Sequence, residues 1–195
     1  MKKYEDLPDF SKVKLTSGDR MAEFCSTFGF GNGTSKKWTQ KHFGLLSSNL
    51  SSDEYAIFCF VGLHNYVSAT KHNSNYAFAI TNKRILMAQQ KLVGSNVQSI
   101  KLDLINDVTK QTGVLMGTVT VDTFKEKFNV GVDKQSVDRI ATSLNEILFE
   151  LKSHIHVEAT PTSNVDEIRN YKSLLDDGII TQEEFDAKKK ELLGL

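Results

Sequence analysis

Histidines and cysteines are the residues in this chain best suited to acid–base, nucleophilic or metal chemistry, and their spacing supports none of these. His42, His64 and His72 lie too far apart for one helix face, so only the fold could make them meet. Cys25 and Cys59 stand in apolar surroundings with no Cys-x-x-Cys or Cys/His spacing, which predicts buried, reduced thiols and a cytoplasmic protein. His154 and His156 read as opposite sides of an extended segment with no third ligand near them. Gly29-Phe-Gly31-Asn-Gly33-Thr-Ser-Lys36 imitates a phosphate loop, but it holds no Gly-Lys-Ser/Thr and no apolar strand leads into it. Asp177–Glu184 imitates the second half of a calcium loop. With Gly178 at loop position 6, however, Ser173 and Leu175 fall where carboxylates are needed. There is no Gly-x-Ser-x-Gly, no His-Glu-x-x-His and no carboxylate pair on a strand end. The expectation is a protein with no catalytic residue, no metal and no cofactor.

The elements around these residues are easier to read. Met21, Phe24, Cys25 and Phe28 recur at helical spacing, and Thr16 with Asp19 resembles a capping box, so about 18–28 is an amphipathic helix. A second helix is expected from Ser35 to about Leu50, with Trp38, Phe43, Leu46 and Leu50 on its apolar side and Gly44 weakening it. After Ser47–Ser52 the pattern turns extended. Strands are expected at Ala56–Val61, Tyr76–Ile80, Arg84–Ala88, Val97–Leu104, Ile105–Lys110, Gly117–Val121 and Glu126–Val130, with tight turns at Thr81–Lys83 and Asp122–Lys125. Val137, Ile140, Leu144, Ile147, Leu148 and Leu151 then mark one stripe of a strong helix, with Asp133 suited to cap it. Seven strands and one amphipathic helix predict an α+β domain: a small, strongly bent antiparallel β-barrel whose open end the helix covers.

Four regions follow: an N-terminal helical extension (1–50), the barrel (51–153), a linker around Pro161 (154–164) and a helical hairpin (165–195). In the hairpin, Asn164 with Glu167 can cap a helix bearing Val165, Ile168, Tyr171, Leu174 and Leu175, which Asp176-Asp-Gly178 ends. Thr181-Gln-Glu-Glu184 is a capping box for a second helix with Phe185, Leu192 and Leu193. Below roughly 40 residues a chain without disulfide or metal rarely folds alone. Tyr171, Leu175, Ile179, Ile180, Phe185 and Leu192, with Val165, are therefore expected to dock on the barrel, on a second copy or on a partner.

Lys and Arg total 24 and Asp and Glu total 24, so no global field recruits nucleic acid, and none is expected as a partner. Charged residues at 25% and apolar ones at 39% place the chain among water-soluble globular proteins. The N-terminus lacks the apolar run of a secretory signal, and no stretch is long and apolar enough for a membrane span.

Two resemblances add to this. Asn75-Tyr-Ala-Phe-Ala-Ile-Thr-Asn-Lys-Arg-Ile-Leu-Met87, Val97-Gln-Ser-Ile100, Ile105-Asn-Asp-Val108, Gly117-Thr-Val-Thr-Val121 and the helix after them resemble bacterial pleckstrin-homology-like domains, the YokE-like group in particular. The likeness covers about Leu50–Lys152, and its most characteristic part is the Thr-Asn-Lys-Arg turn. Asp166–Leu195 closely resembles the SHOCT module, a short C-terminal helical hairpin, which implies an interaction or oligomerisation role without chemistry. Together they imply a non-enzymatic adaptor with a protein partner or self-association. One alternative is a peripheral reader of lipid headgroups, since eukaryotic relatives clamp phosphates with basic residues after the first strand. Here that loop, Leu63–Asn75, offers only Lys71 and His72, with Lys91 and Lys101 as neighbours, a thin supply of charge. Another alternative is a prophage-encoded regulator of a host protein, by fold-level analogy.

Overall fold

Ala56–His64 is apolar without alternation, and it forms the central strand β1, buried over nearly its whole length. A strand covered on both faces reads this way, whereas the half-covered Met116–Thr123 alternates strictly between buried and half-buried residues. The computed structural model describes residues 6–158, 164–176 and 179–194. They fall into two units, Met1–Lys152 and Ser153–Leu195.

In the first unit β1 is followed by β2 (Asn75–Thr81), β3 (Arg84–Gln90), β4 (Ser95–Lys101), β5 (Ile105–Thr112), β6 (Met116–Thr123) and β7 (Lys127–Asp133). All are antiparallel, in the order β4-β3-β2-β1-β7-β6-β5. β1 pairs with β2 from Ala56 to Leu63, but with β7 only through Leu63↔Gly131 and His64↔Val130. This short seam joins two halves of one bent sheet.

The sheet is not closed, which corrects the expected barrel: β4 and β5 end the order and do not pair. The reason lies in helix α3 (Val137–Glu158), which lines the open edge of β5. Asn145 Nδ2 donates to the Val108 carbonyl at 3.0 Å, the Lys152 ammonium donates to the Ile105 carbonyl, and Asp138 pairs with Lys110 at 2.6 Å. Side chains thus occupy the backbone acceptors that a closing strand would need. Val137, Ile140, Ala141, Leu144, Ile147 and Leu148 are buried, as the stripe requires.

Helices α1 (Gly18–Thr27) and α2 (Lys36–Ser47) pack against β1–β3. Their Met21, Phe24, Cys25, Phe43 and Leu46 belong to the same core as the sheet. Ser17, and not Thr16, caps α1 by accepting from the Arg20 amide. Leu102–Leu104, expected as strand, is a 3₁₀ turn that drives Leu102 into the core between β4 and β5. Asp133 caps the turn ahead of α3, accepting from the Gln135 and Ser136 amides. The extended reading of His154–Glu158 also gives way, because α3 runs on to Glu158. Pro161 is the first residue there that opposes helix.

The Thr-Asn-Lys-Arg turn between β2 and β3 is a lock on the loop preceding β1. The Asn82 side chain accepts from the Tyr55 amide and donates to the Asp53 carbonyl, and Lys83 pairs with Asp53. Arg84 Nε and a terminal nitrogen both donate to the buried Glu54 carboxylate at 2.9 Å, joined by the Thr81 hydroxyl at 2.8 Å and the Ser51 amide at 3.0 Å.

In the second unit, α4 (Asn164–Asp176) and α5 (Gln182–Leu193) form a helical hairpin.

Candidate interaction surfaces

The hairpin is held by its own caps. Thr181 and Glu184 form the full capping box, the Thr181 amide donating to the carboxylate at 2.8 Å and the Glu184 amide to the hydroxyl at 3.3 Å. The Ile179 amide reaches back to the Leu174 carbonyl at 2.9 Å, in the last turn of α4. Asp177 and Gly178, expected to end that helix, lie outside the described residues, whereas Ser173 and Leu175, at the first and third positions of the imitated calcium loop, belong to α4. Asn164 is the first residue of α4, and its side chain bonds the Leu192 carbonyl at the far end of α5. Phe185 is buried, Tyr171, Leu175, Ile180 and Leu192 are half-buried, and Ile179 is 68% exposed.

The register of the first unit separates the candidate anion contacts. Lys101 sits opposite Arg84 at one end of the β3–β4 pair, and Lys91 lies in the turn at the other end, beyond Gln90↔Ser95. At about 3.3 Å per residue the ends of β4 are roughly 20 Å apart, so the two lysines cannot clamp one phosphate. Lys71 and His72 belong to the loop between β1 and β2, which Gln89 ties to the Lys91 end through the Asn73 and Asn75 carbonyls. His72 is already engaged: its Nδ1 accepts from the Ser74 amide and its Nε2 donates to the Ala69 carbonyl.

A family model for the bacterial PH domain matches residues 50–146, and one for the short C-terminal domain, SHOCT, matches 166–193. The chain is a bacterial PH domain followed by a SHOCT domain. Domains of these two kinds are typically non-catalytic and fit a non-enzymatic adaptor. A similar solved structure is the C-terminal domain of an unknown protein from Leishmania infantum, 19% identical, with a TM-score of 0.40, covering 56% of this chain and 94% of that one. No curated protein matches the sequence.

The histidines of the first unit do not gather into a site. His42 stacks on Trp38 and donates from Nδ1 to the Trp38 carbonyl, while His64 lies among Tyr76, Phe78 and Phe128. Burial holds both imidazoles below their ordinary pKa. Cys25 and Cys59 are free and buried, and burial pushes both thiols up, away from the reactive thiolate. The glycine cluster serves packing. Gly29, at φ 76°, supplies the left-handed residue after α1, the Phe30 amide closes onto the Cys25 carbonyl at 2.8 Å, and Phe30 enters the core. A cleft of about 610 Å³ beside this loop is lined by Asp19, Glu23, Lys36, Gln40 and Asp133 among others. Among the described residues no three His, Cys, Asp or Glu side chains are placed to hold a metal.

Two features escaped the sequence reading. From Tyr55 through Leu102 there is no Asp or Glu, while Lys71, Lys83, Arg84, Lys91 and Lys101 fall within that span. Asp53 and Glu54, just before that span, pair with Lys83 and Arg84, so the local charge that balanced totals hid is that of Lys71, Lys91 and Lys101. The β3–β4 turn also carries Leu92 and Val93 almost fully in solvent, as the β5–β6 turn carries Val114 and Leu115.

Proposed function

We propose that the chain is a non-enzymatic adaptor: the PH domain presents a protein-binding surface and the SHOCT hairpin joins copies of the chain. The observation behind this reading is the hairpin turn, where Ile179 stands 68% exposed while Phe185 is buried. A short hairpin with neither disulfide nor metal gains from covering such a residue. Light scattering tests it: the full chain is expected to be an oligomer, and Ile179→Asp or removal of 165–195 should shift it to monomer. A monomer at every concentration, unchanged by the deletion, removes the self-association reading.

The exposed Leu92 and Val93, with Lys91 before them and no acid in the span around them, favour a second reading as a peripheral membrane module. No helix among the described residues is long and apolar enough to cross a membrane. Co-sedimentation with vesicles containing phosphatidylserine at low salt is then expected, and Leu92→Asp with Val93→Asp should abolish it. Absence of co-sedimentation by the parent chain counts decisively against this reading.

A further inference from the structure

The two edges of the open sheet are treated differently. An edge strand exposes unpaired amides and carbonyls that template further pairing, and proteins blunt such edges with bulges, charges or covering elements. β5 has all three. Its register slips between Ile105 and Asp107, it carries Asp107 and Lys110, and α3 covers the Ile105 and Val108 carbonyls. Among the described residues β4 has no bulge and no covering element, and its one charge, Lys101, stands at its very end. It pairs with β3 in unbroken register from Arg84↔Lys101 to Gln90↔Ser95, and Ser95–Ile100 contains no charge and no proline. Among the described residues no hydrogen bond reaches its outer edge.

We propose that the outer edge of β4 accepts an extended, acidic segment of a partner protein as an eighth strand of the sheet. This rests on the adaptor reading above and names its PH-domain site. The charge distribution selects the occupant. Lys91 and Lys101 bracket the edge at its two ends, in a span with no acidic residue. A second copy pairing antiparallel on β4 would bring Lys101 of each chain beside the Lys91 end of the other, setting like charges together at both ends. An incoming strand with Asp or Glu at its flanks meets opposite charge there. Alternate residues of β4 supply the main-chain bonds, as in other strand additions, and the lysines set the sign of what binds.

The test uses the intact chain to select from an unbiased displayed library of 12-residue peptides, and measures the enriched peptides, synthesised with a fluorescein label, by anisotropy. Enriched peptides are expected to be rich in β-formers and to carry Asp or Glu. Their binding should weaken with salt. Because neighbouring residues of β4 face opposite edges, one of Gln98→Pro and Ser99→Pro removes an outward amide while leaving β3 pairing intact, and thermal melting identifies which. That variant should bind at least tenfold more weakly, and Lys91→Glu with Lys101→Glu should do the same without changing the fold. No enrichment over an unrelated control, or equal binding by the folded proline variant, overturns the proposal. So does displacement of the peptides by phosphatidylserine vesicles, which would assign the field to lipid. The β4 variants should leave the hairpin-dependent oligomer unchanged, so loss of the strand site and loss of the self-association reading are told apart.

Discussion

Replacing Glu54 by Ala is expected to destabilise the PH domain by about 3–5 kcal/mol, the range for breaking a buried ion pair. The Glu54 side chain has no solvent exposure, and Arg84 beside it is 27% exposed. The substitution would take the acceptor from two guanidinium N–H groups and the Ser51 amide, leave the Thr81 hydroxyl only the Arg84 carbonyl, and loosen the loop before β1 from the β2–β3 turn. At roughly 2–4 °C per kcal/mol, a fall of about 10 °C in Tm is expected. The same group makes stability depend on pH. Burial alone would raise its pKa, but the Arg84 guanidinium, the Ser51 amide and the Thr81 hydroxyl outweigh burial and hold the carboxyl at about 2, against an ordinary 4.5. A folded pKa below the unfolded one means the stabilisation is complete above about pH 4.5 and is lost as pH falls toward 2. The shift corresponds to about 3 kcal/mol. Denaturation at pH 7 and pH 3 should therefore show Glu54→Gln far less stable than the parent at pH 7 and nearer to it at pH 3. A gap of the same size at both values would mean that the carboxylate charge does not act through this network.

The parts of this fold that could be read in advance are those with local causes. Thr181-Gln-Glu-Glu184 makes its capping box wherever the hairpin sits, and the Thr81–Arg84 turn was recognisable before its role was visible. The seven strands and the stripe of α3 follow from spacing alone. What could not be read depends on residues far apart in the chain. The open edge of β5 is met by α3 through contacts between distant residues, such as Asn145 with the Val108 carbonyl. Lys91 and Lys101 look like neighbours in the sequence, and only the β3–β4 register parts them. The acid-free span from Tyr55 to Leu102 is legible in the sequence, but whole-chain totals average it with the acidic β5–α3 region. Its meaning still required the sheet, because a basic span gains a target only when one of its strands proves to be an unguarded edge.

Gly44 weakened the expectation of α2, and its surroundings now give a second large prediction with opposite signs at two glycines. A Cβ added at Gly18 would lie 2.5 Å from the Gly44 Cα and nitrogen and 2.8 Å from the Phe43 carbonyl carbon. These are backbone atoms of α2, so no side-chain rotation relieves the clash, and α1 must move off α2. Gly18→Ala should destabilise the domain by about 3 kcal/mol, at the upper end of overpacking effects. A Cβ on Gly44 itself meets nothing within 4 Å. Gly44→Ala should therefore stabilise by about 0.5–1 kcal/mol, the ordinary gain of Ala over Gly inside a helix. Thermal unfolding of the two variants beside the parent checks both. The pair is informative because both substitutions add one methyl at the same helix crossing, so helix propensity alone predicts two stabilised proteins and general intolerance of the crossing predicts two destabilised ones. Only an approach in which Gly18 faces the α2 backbone while the Gly44 Cβ direction points away yields opposite signs. Since α1 and α2 lie before the matched PH region yet share its core, a loss at Gly18 that appears in the main unfolding transition would also establish that residues before 50 fold with the PH domain and not apart from it.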